Sequence, residues 1–136
     1  MNYFLAKTDP DTYSIDNFEE EQQTVWNGVR NAQALQAIKL MRPKDRVFIY
    51  HSMGHAAIMG LAQVVSPPVP DPDNPKSTVV ELKFLRRLTP PTTLADIKAD
   101  GRFDEWALVR QSRLSTMTAP AEFVEWMRER YPKGKI

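Results

Sequence analysis

Four stretches of the chain carry the branched and aromatic residues typical of β-strands. The longest runs from Thr78 to Leu88, where Glu81, Lys83 and Arg87 lie on the face opposite the apolar residues. The other three predicted strands are Asn2 to Lys7, Asp45 to His51 and Ala56 to Val65. Because Met53-Gly54-His55 forms a short turn between the last two, we expect them to pair as an antiparallel hairpin.

Apolar residues at helical spacing predict helices between these strands. The clearest helix runs from Asn31, a favourable N-cap residue, to Met41 and ends before Pro43. Three further helices are predicted at Ser14 to Glu21, Thr93 to Lys98 and Ala119 to Arg130.

Prolines mark the places where regular structure is expected to stop. Five of the eleven lie between Ser66 and Pro75, which predicts a loop, and Pro90-Pro91 is expected to end the long strand. Leu108 to Met117 is expected to add one more strand or extended segment. Since helices and strands do not alternate, the order predicts a single α+β domain, residues 1–136, around a curled sheet.

Composition narrows the classes of function. A chain of 136 residues with 42% hydrophobic and 26% charged residues fits a globular domain. The absence of cysteine excludes disulfides, thiol catalysis and cysteine-based zinc sites, and fits a reducing cytosol. Lys7 interrupts the first apolar stretch too early for a secretory signal, and no segment approaches the ~20 apolar residues of a membrane span. We therefore expect a soluble, cytoplasmic protein without a membrane partner.

The net charge of +1 is low for a protein that holds nucleic acid through many phosphate contacts. Basic residues nevertheless gather from Lys39 to Arg46 and from Lys83 to Arg87, with Arg110 and Arg113 further along. If these stretches converge, they form a modest surface for an anionic polymer. If they are scattered among the acidic residues, they form an ordinary charged surface, and the sequence leaves both possibilities open.

The segment Tyr50-His51-Ser52 raises the question of catalysis. Adjacent strand residues point to opposite faces, so His51 is not expected to activate Ser52, which lies outside any nucleophile elbow. His51 and His55 lack an evident third ligand for a metal. The five scattered glycines supply neither a P-loop nor a dinucleotide fingerprint. We therefore expect neither a metal nor a cofactor. Tyr50-His51-Ser52 is interpreted as a polar strand end at the mouth of a pocket.

The most informative segment is Trp26-Asn27-Gly28-Val29-Arg30-Asn31. The indole offers a flat face for stacking, and Asn27 can donate and accept hydrogen bonds at a base edge. Gly28 lets the backbone come close to a ligand, and Arg30 beside a helix start suits a phosphate. The residue types alone favour the alternative that Trp26 fills the core, because large aromatic side chains usually pack there.

Taken in order, several short motifs resemble the EVE domain, a member of the PUA-like superfamily related to thymocyte nuclear protein and to YTH domains. The likeness covers essentially the full chain. The motifs that carry it are Tyr3-Phe4-Leu5-Ala6-Lys7-Thr8-Asp9-Pro10, the Trp26 to Asn31 segment, Met41, Asp45, Tyr50-His51-Ser52, Gly60-Leu61-Ala62-Gln63-Val64, Pro70-Asp71 and Ser112-Arg113-Leu114-Ser115.

The resemblance implies a PUA-like curled β-barrel, mixed or antiparallel, with surrounding helices. It also implies a non-catalytic module that recognises a nucleobase, a modified one in particular, in DNA or RNA through an aromatic pocket. The motif positions that it assigns to this pocket are Phe4, Lys7, Thr8, Trp26, Asn27, Gly28, Val29, Arg30, Asn31, Tyr50, His51, Ser52 and Arg113.

Within this set, the resemblance implies that Trp26 stacks on the base, that Asn27 and Ser52 read its edge and that Arg30 and Lys7 meet phosphate. The family often carries tryptophan in place of Phe4, which implies a smaller cage wall here. It also often carries an aromatic residue and an arginine in place of Ala32 and Leu35.

Two other functions make distinct demands on the structure. An RNA-cleaving hydrolase, as found among related ASCH-type proteins, requires His51, with Lys7, to form an acid–base set at one pocket. A small-molecule or protein-interaction module would use the loop from Ser66 to Pro75 as a docking surface.

Overall fold

The computed structural model describes all 136 residues, which form a mixed sheet of seven strands with five helices around it. The strands are β1 (Tyr3–Thr8), β2 (Gln23–Trp26), β3 (Arg46–His51), β4 (Ala57–Val64), β5 (Val69–Asp71), β6 (Asn74–Thr93) and β7 (Thr116–Thr118). The helices are α1 (Ile15–Glu21), α2 (Ala32–Leu40), α3 (Leu94–Asp100), α4 (Ala107–Arg110) and α5 (Ala121–Arg130). None of these helices is long and apolar enough to cross a membrane.

The strand order is β2-β6-β4-β3-β1-β7, with β5 paired to the first part of β6. β1 runs parallel to β3, with Leu5 opposite Phe48, and every other pair is antiparallel. The two outer strands, β2 and β7, do not pair with each other, so the curled sheet stays open. This confirms the predicted α+β class and the curled mixed sheet.

One cluster of 33 buried hydrophobic residues forms the core, and aromatic pairs join the helices to the sheet. Phe123 of α5 lies edge-on to Phe48 of β3 with 5.5 Å between ring centroids. Phe18 of α1 lies edge-on to Phe84 of β6 at 5.7 Å. Burying a side chain of this size contributes about 1.5–3 kcal/mol, so these contacts fix where α1 and α5 pack.

Three of the four predicted helix starts are confirmed, and each of these three has a local side-chain hydrogen bond. The fourth helix, α5, begins at Ala121 after Pro120 and has no side-chain cap. The Ser14 hydroxyl accepts from the backbone N–H of Asn17, and the Asn17 side chain accepts in return from the Ser14 N–H. Asn31 accepts from the Ala34 N–H at 3.1 Å. Thr93 and Asp96 form the same reciprocal pair at α3. Each such cap contributes about 1 kcal/mol to stability.

The predicted end of the long strand at Pro90-Pro91 is wrong, because β6 continues to Thr93. Pairing with β4 passes from Gly60 opposite Arg87 to Ile58 opposite Thr92, so four residues of β6 face a single residue of β4. The two prolines lie in this bulge, where no N–H donor is needed for the ladder.

Two further predictions of local structure need correction, and one strand was missed. The proline-rich segment from Ser66 to Pro75 is not only a loop, since β5 pairs there with β6. Leu108 to Met117 is not one strand: it contains most of α4 and only the start of β7. β2 was not predicted, and it places Trp26 in a strand, opposite Val80 of β6.

Candidate functional site

A surface pocket of about 520 Å³ lies where the curl of the sheet brings the end of β2 toward the end of β1. These two strands are separated by β6, β4 and β3 in the sheet order, so curvature and not pairing joins them. The pocket is lined by Lys7, Thr8, Asp9, Thr12, Tyr13, Thr24, Val25, Trp26, Asn27, Gly28, Val29, Arg30 and Ser115. A separate depression of about 460 Å³, between Lys39, Arg42 and Pro67 to Pro70, contains no aromatic side chain.

Trp26 both packs in the core and lines this pocket. Its side chain is buried, with 8% of the residue exposed, and lies 6.1 Å from the Phe18 ring and 6.2 Å from the Tyr13 ring. The Tyr13 ring meets it edge-on, and Tyr13 also lines the pocket. The two interpretations of Trp26 left open by the sequence are therefore compatible: the core holds the indole in place at the pocket.

The loop after Trp26 forms one rim of the pocket. Gly28 has a φ of +78°, a conformation that favours glycine, and open space surrounds the position of a Cβ. The buried Val29 anchors the loop, because its carbonyl accepts a hydrogen bond from the Ser77 hydroxyl at 2.7 Å. Asn27 and Arg30 are exposed on the rim, and none of the seven ion pairs in the structure involves Arg30.

Whereas Arg30 is exposed, Lys7 is half-buried and lines the pocket from β1. Its ammonium donates to the Ser112 carbonyl at 3.0 Å and sits 5.6 Å from the centre of the Tyr50 ring. Burial lowers the pKa of Lys7 and raises the pKa of Tyr50. Tyr50 is 3% exposed and does not line the pocket, so its contact with the site is through Lys7.

The turn after β1 forms the opposite rim. The Asp9 carbonyl accepts from the Tyr13 N–H at 2.8 Å, and the Thr8 hydroxyl donates to the Tyr13 carbonyl at 2.6 Å. The Asp9 carboxylate accepts through Oδ1 from the Asp11 N–H at 2.9 Å. Tyr13 in turn donates to Glu21, and burial together with this carboxylate raises the pKa of Tyr13 to about 12. The turn is thus held by its own hydrogen bonds with Asp9 facing the pocket.

Six of the residues assigned to the pocket by resemblance lie elsewhere. Phe4 is 1% exposed and belongs to the core, so it is not placed to form a cage wall. Ser52 lies behind Thr8, with its hydroxyl 3.3 Å from the Thr8 carbonyl. Asn31 caps α2 and shares a neighbouring depression of about 300 Å³ with Arg113. Tyr50, described above, and His51 are the other two.

His51 supports a helix instead of the pocket. Its Nε2 accepts a hydrogen bond from the Ile15 backbone N–H at 3.0 Å, at the start of α1. Burial lowers the pKa of His51, and the nearby Asp16 opposes this shift. Lys7 lines the pocket and His51 does not, so the acid–base set required for an RNA-cleaving hydrolase is not assembled there. No group of three or more His, Cys, Asp or Glu side chains is placed to hold a metal ion.

The predicted basic stretches are largely engaged in other contacts. Arg87 pairs with Asp16 and Glu19, Arg110 pairs with Glu105, and Arg46 donates to the Lys135 carbonyl.

The pocket residues that were not predicted are Asp9, Thr12, Tyr13, Thr24, Val25 and Ser115. Asp9, Thr12 and Tyr13 follow directly after the predicted strand Asn2 to Lys7. Since loops after strands commonly carry binding residues, their position in the sequence could have indicated a role in the pocket.

Comparison with known proteins agrees with this architecture. The family model described as the EVE domain matches residues 2–130. Thymocyte nuclear protein 1 of Rattus norvegicus is 30% identical over 125 residues, covering 71% of this chain and 55% of that protein. The chain thus spans about half the length of the curated relatives that it matches.

Solved structures share the fold. A protein from Rhodopseudomonas palustris superposes with a TM-score of 0.89 at 34% identity, covering 96% of this chain and 92% of the other. The human THYN1 protein, solved in complex with 5-methylcytosine-containing DNA, has a TM-score of 0.86 at 24% identity and 96% and 98% coverage. The MmI1 YTH domain is more distant, with a TM-score of 0.58, 16% identity and 93% and 92% coverage. With the family match over nearly its whole length, the chain belongs to the EVE domain family.

Proposed function

We propose that this protein is a non-catalytic binding module that holds one nucleobase of DNA or RNA, a modified base in particular, in the pocket beside Trp26. The observation that carries the proposal is the position of Trp26: the core fixes its indole, and the same residue lines a pocket of about 520 Å³. The human THYN1 protein, which shares the fold, has been solved with DNA that contains 5-methylcytosine, and this supports a base as the ligand.

The roles follow from the position of each side chain. Trp26 stacks on the base, as aromatic residues do in nucleic-acid sites. Asn27, exposed on the rim, offers both a donor and an acceptor to the base or its sugar. Arg30 has no acidic partner in the protein and meets the phosphate, for which its planar guanidinium is suited.

The energy balance explains why a single stacking residue is not sufficient. Extruding a base from a duplex costs a few kcal/mol, and stacking returns about 1–3 kcal/mol per base. The polar side chains of the pocket must supply the remainder. Affinity is therefore expected to be higher for single strands than for duplexes of the same sequence, because no base pair is broken.

Tryptophan fluorescence tests the proposal directly. The protein is titrated with single-stranded DNA and RNA oligonucleotides that carry cytosine, 5-methylcytosine, adenine or N6-methyladenine at one central position. We expect saturable quenching, since a stacked base perturbs the indole of Trp26. Trp26→Ala should remove the response and the binding. Trp26→Phe should retain part of the binding, because a smaller ring still packs on Phe18 and stacks on the base.

The matched control is Trp126→Phe. Trp126 is half-buried in a separate aromatic cluster, 5.4 Å from Phe103 and 5.7 Å from Phe123. This variant should bind and respond like the parent protein. Absence of a response with every oligonucleotide, or an unchanged response in Trp26→Ala, contradicts the proposal. Cleavage of labelled RNA that is lost in His51→Ala would contradict its non-catalytic part.

A further inference from the structure

We propose that the pocket selects bases with an exocyclic amine next to an unprotonated ring nitrogen, as in cytosine and adenine, and that Asp9 and Lys7 read this edge. This inference rests on the proposed function, because it describes how the same pocket chooses its base. It assigns Lys7 to the base edge, whereas the family resemblance suggested a phosphate contact.

Asp9 supplies a hydrogen-bond acceptor in a fixed orientation. Its Oδ1 is already held by the Asp11 N–H at 2.9 Å, and the turn is held by the Tyr13 N–H on the Asp9 carbonyl at 2.8 Å. Oδ2 accepts no hydrogen bond from the protein, and no cation pairs with this carboxylate. An ionised carboxylate only accepts hydrogen bonds, so its partner on a ligand must be a donor.

Lys7 supplies the donor on the same strand end. Its ammonium has three hydrogens, and the Ser112 carbonyl, at 3.0 Å, uses one of them. The Lys7 side chain lines the pocket and is half-buried, and its ammonium lies 5.6 Å from the centre of the buried Tyr50 ring, whereas Arg30 is exposed. Two of the ammonium hydrogens are therefore left for an acceptor on the bound base.

This donor and acceptor pair matches one type of base edge. Cytosine presents the N4 amine beside the N3 acceptor, and adenine presents the N6 amine beside the N1 acceptor. Thymine, uracil and hypoxanthine present a carbonyl oxygen beside a ring N–H, which places an acceptor against Asp9 and a donor against Lys7. A matched edge contact discriminates against the wrong base by about tenfold or more. A methyl group on C5 of cytosine leaves both edge contacts in place.

The experiment compares bases of equal shape. Fluorescence polarisation measures Kd for one labelled single-stranded oligonucleotide whose central base is 5-methylcytosine or thymine, which have the same ring and the same methyl group. A second pair compares adenine with hypoxanthine. Where a pair of bases binds measurably, we expect the base with the exocyclic amine to bind about tenfold more tightly than its partner in that pair. In Asp9→Asn this preference should disappear, because the amide can donate to the carbonyl oxygen of thymine while its oxygen still accepts from the Asp11 N–H.

Asp11→Asn is the matched control, since Asp11 is exposed, does not line the pocket and contributes its backbone N–H in either form. It should retain the preference of the parent protein. Equal affinity for 5-methylcytosine and thymine, or a preference that survives in Asp9→Asn, overturns the edge-reading inference and leaves the proposed function intact. Failure of every oligonucleotide to bind contradicts the proposed function itself, and the two failures are thereby distinguished.

Discussion

The Nε2 atom of His51 accepts a hydrogen bond from the backbone N–H of Ile15 at 3.0 Å, which ties the end of β3 to the first residue of α1. Only the neutral imidazole has an acceptor nitrogen. Burial lowers the pKa of His51, in agreement with a folded state that favours the neutral form. The bond therefore makes the attachment of α1 to the sheet sensitive to pH.

The free energy of unfolding should fall as pH is lowered from about 7.5 to 5, because the unfolded chain takes up a proton on His51 near its ordinary pKa of about 6.5 and the folded protein does so only at lower pH. The contribution of neutral His51 to stability is fully present above the pKa of the unfolded chain. It is lost as pH falls toward the lower pKa of His51 in the folded protein. Urea denaturation at a series of pH values measures it. In His51→Gln the free energy of unfolding should change less with pH over this range.

His55→Gln is the control for this pH effect, since His55 is exposed in the turn between β3 and β4. Its profile should follow that of the parent protein. If His51→Gln declines as steeply as the parent over the same pH range, the pH dependence arises elsewhere and the bond to Ile15 is not its source.

Gly60 of β4 lies directly beneath Ile15, so a side chain at position 60 should be destabilising. A Cβ there would meet Ile15 Cδ1 at 2.8 Å and the Arg86 carbonyl at 3.0 Å. Gly60→Ala should cost about 1–3 kcal/mol, as over-packing of a well-packed core does. Ile15→Val removes the Cδ1 atom, so the cost of Gly60→Ala should be smaller in that background. Urea denaturation of both single variants and the double variant measures the difference, and strictly additive effects would contradict it.

Most of the fold could be predicted because it depends on local signals. The caps at Ser14, Asn31 and Thr93 are short-range hydrogen bonds, and β3 and β4 are joined by a short turn. β2 was missed because its strand structure depends on pairing with β6, about 60 residues away in sequence. The bulge that accepts Pro90 and Pro91 likewise exists only in the pairing of β6 with β4.

The candidate site was predicted less completely than the fold. The Trp26 to Arg30 segment and Lys7-Thr8 line the pocket as the resemblance implied. Phe4 and Tyr50 do not, because the face of a strand that points inward is decided by how the sheet curls, which no short motif records. Tyr13 and Asp9 were missed for the related reason that they approach Trp26 only across the opening of the curled sheet.

Gly28 should be sensitive to substitution through its backbone alone. Its φ of +78° disfavours residues with a Cβ, while nothing lies within 4 Å of the Cβ position. Gly28→Ala should cost about 1–2 kcal/mol of stability, and Gly28→Asn less, because asparagine tolerates this conformation better. Gly54→Ala, at a φ of +70° in a turn away from the pocket, should show a similar loss measured by urea denaturation. Oligonucleotide affinity should fall in Gly28→Ala and not in Gly54→Ala; equal affinities in the two variants would contradict a role of this loop in binding.

Arg30→Ala should weaken oligonucleotide binding by an amount that depends on salt and not on the base. A residue that neutralises one phosphate releases a counterion, and the slope of log K against log salt changes by about 0.7 for single strands and 0.9 for duplex DNA. The variant should therefore lose this amount of slope and lose affinity equally for oligonucleotides that differ only in the central base. Lys98→Ala removes one positive charge on α3, away from the pocket, and should leave the slope unchanged. A base-dependent loss in Arg30→Ala would instead place the guanidinium at the base edge, in the position assigned to Asp9 and Lys7.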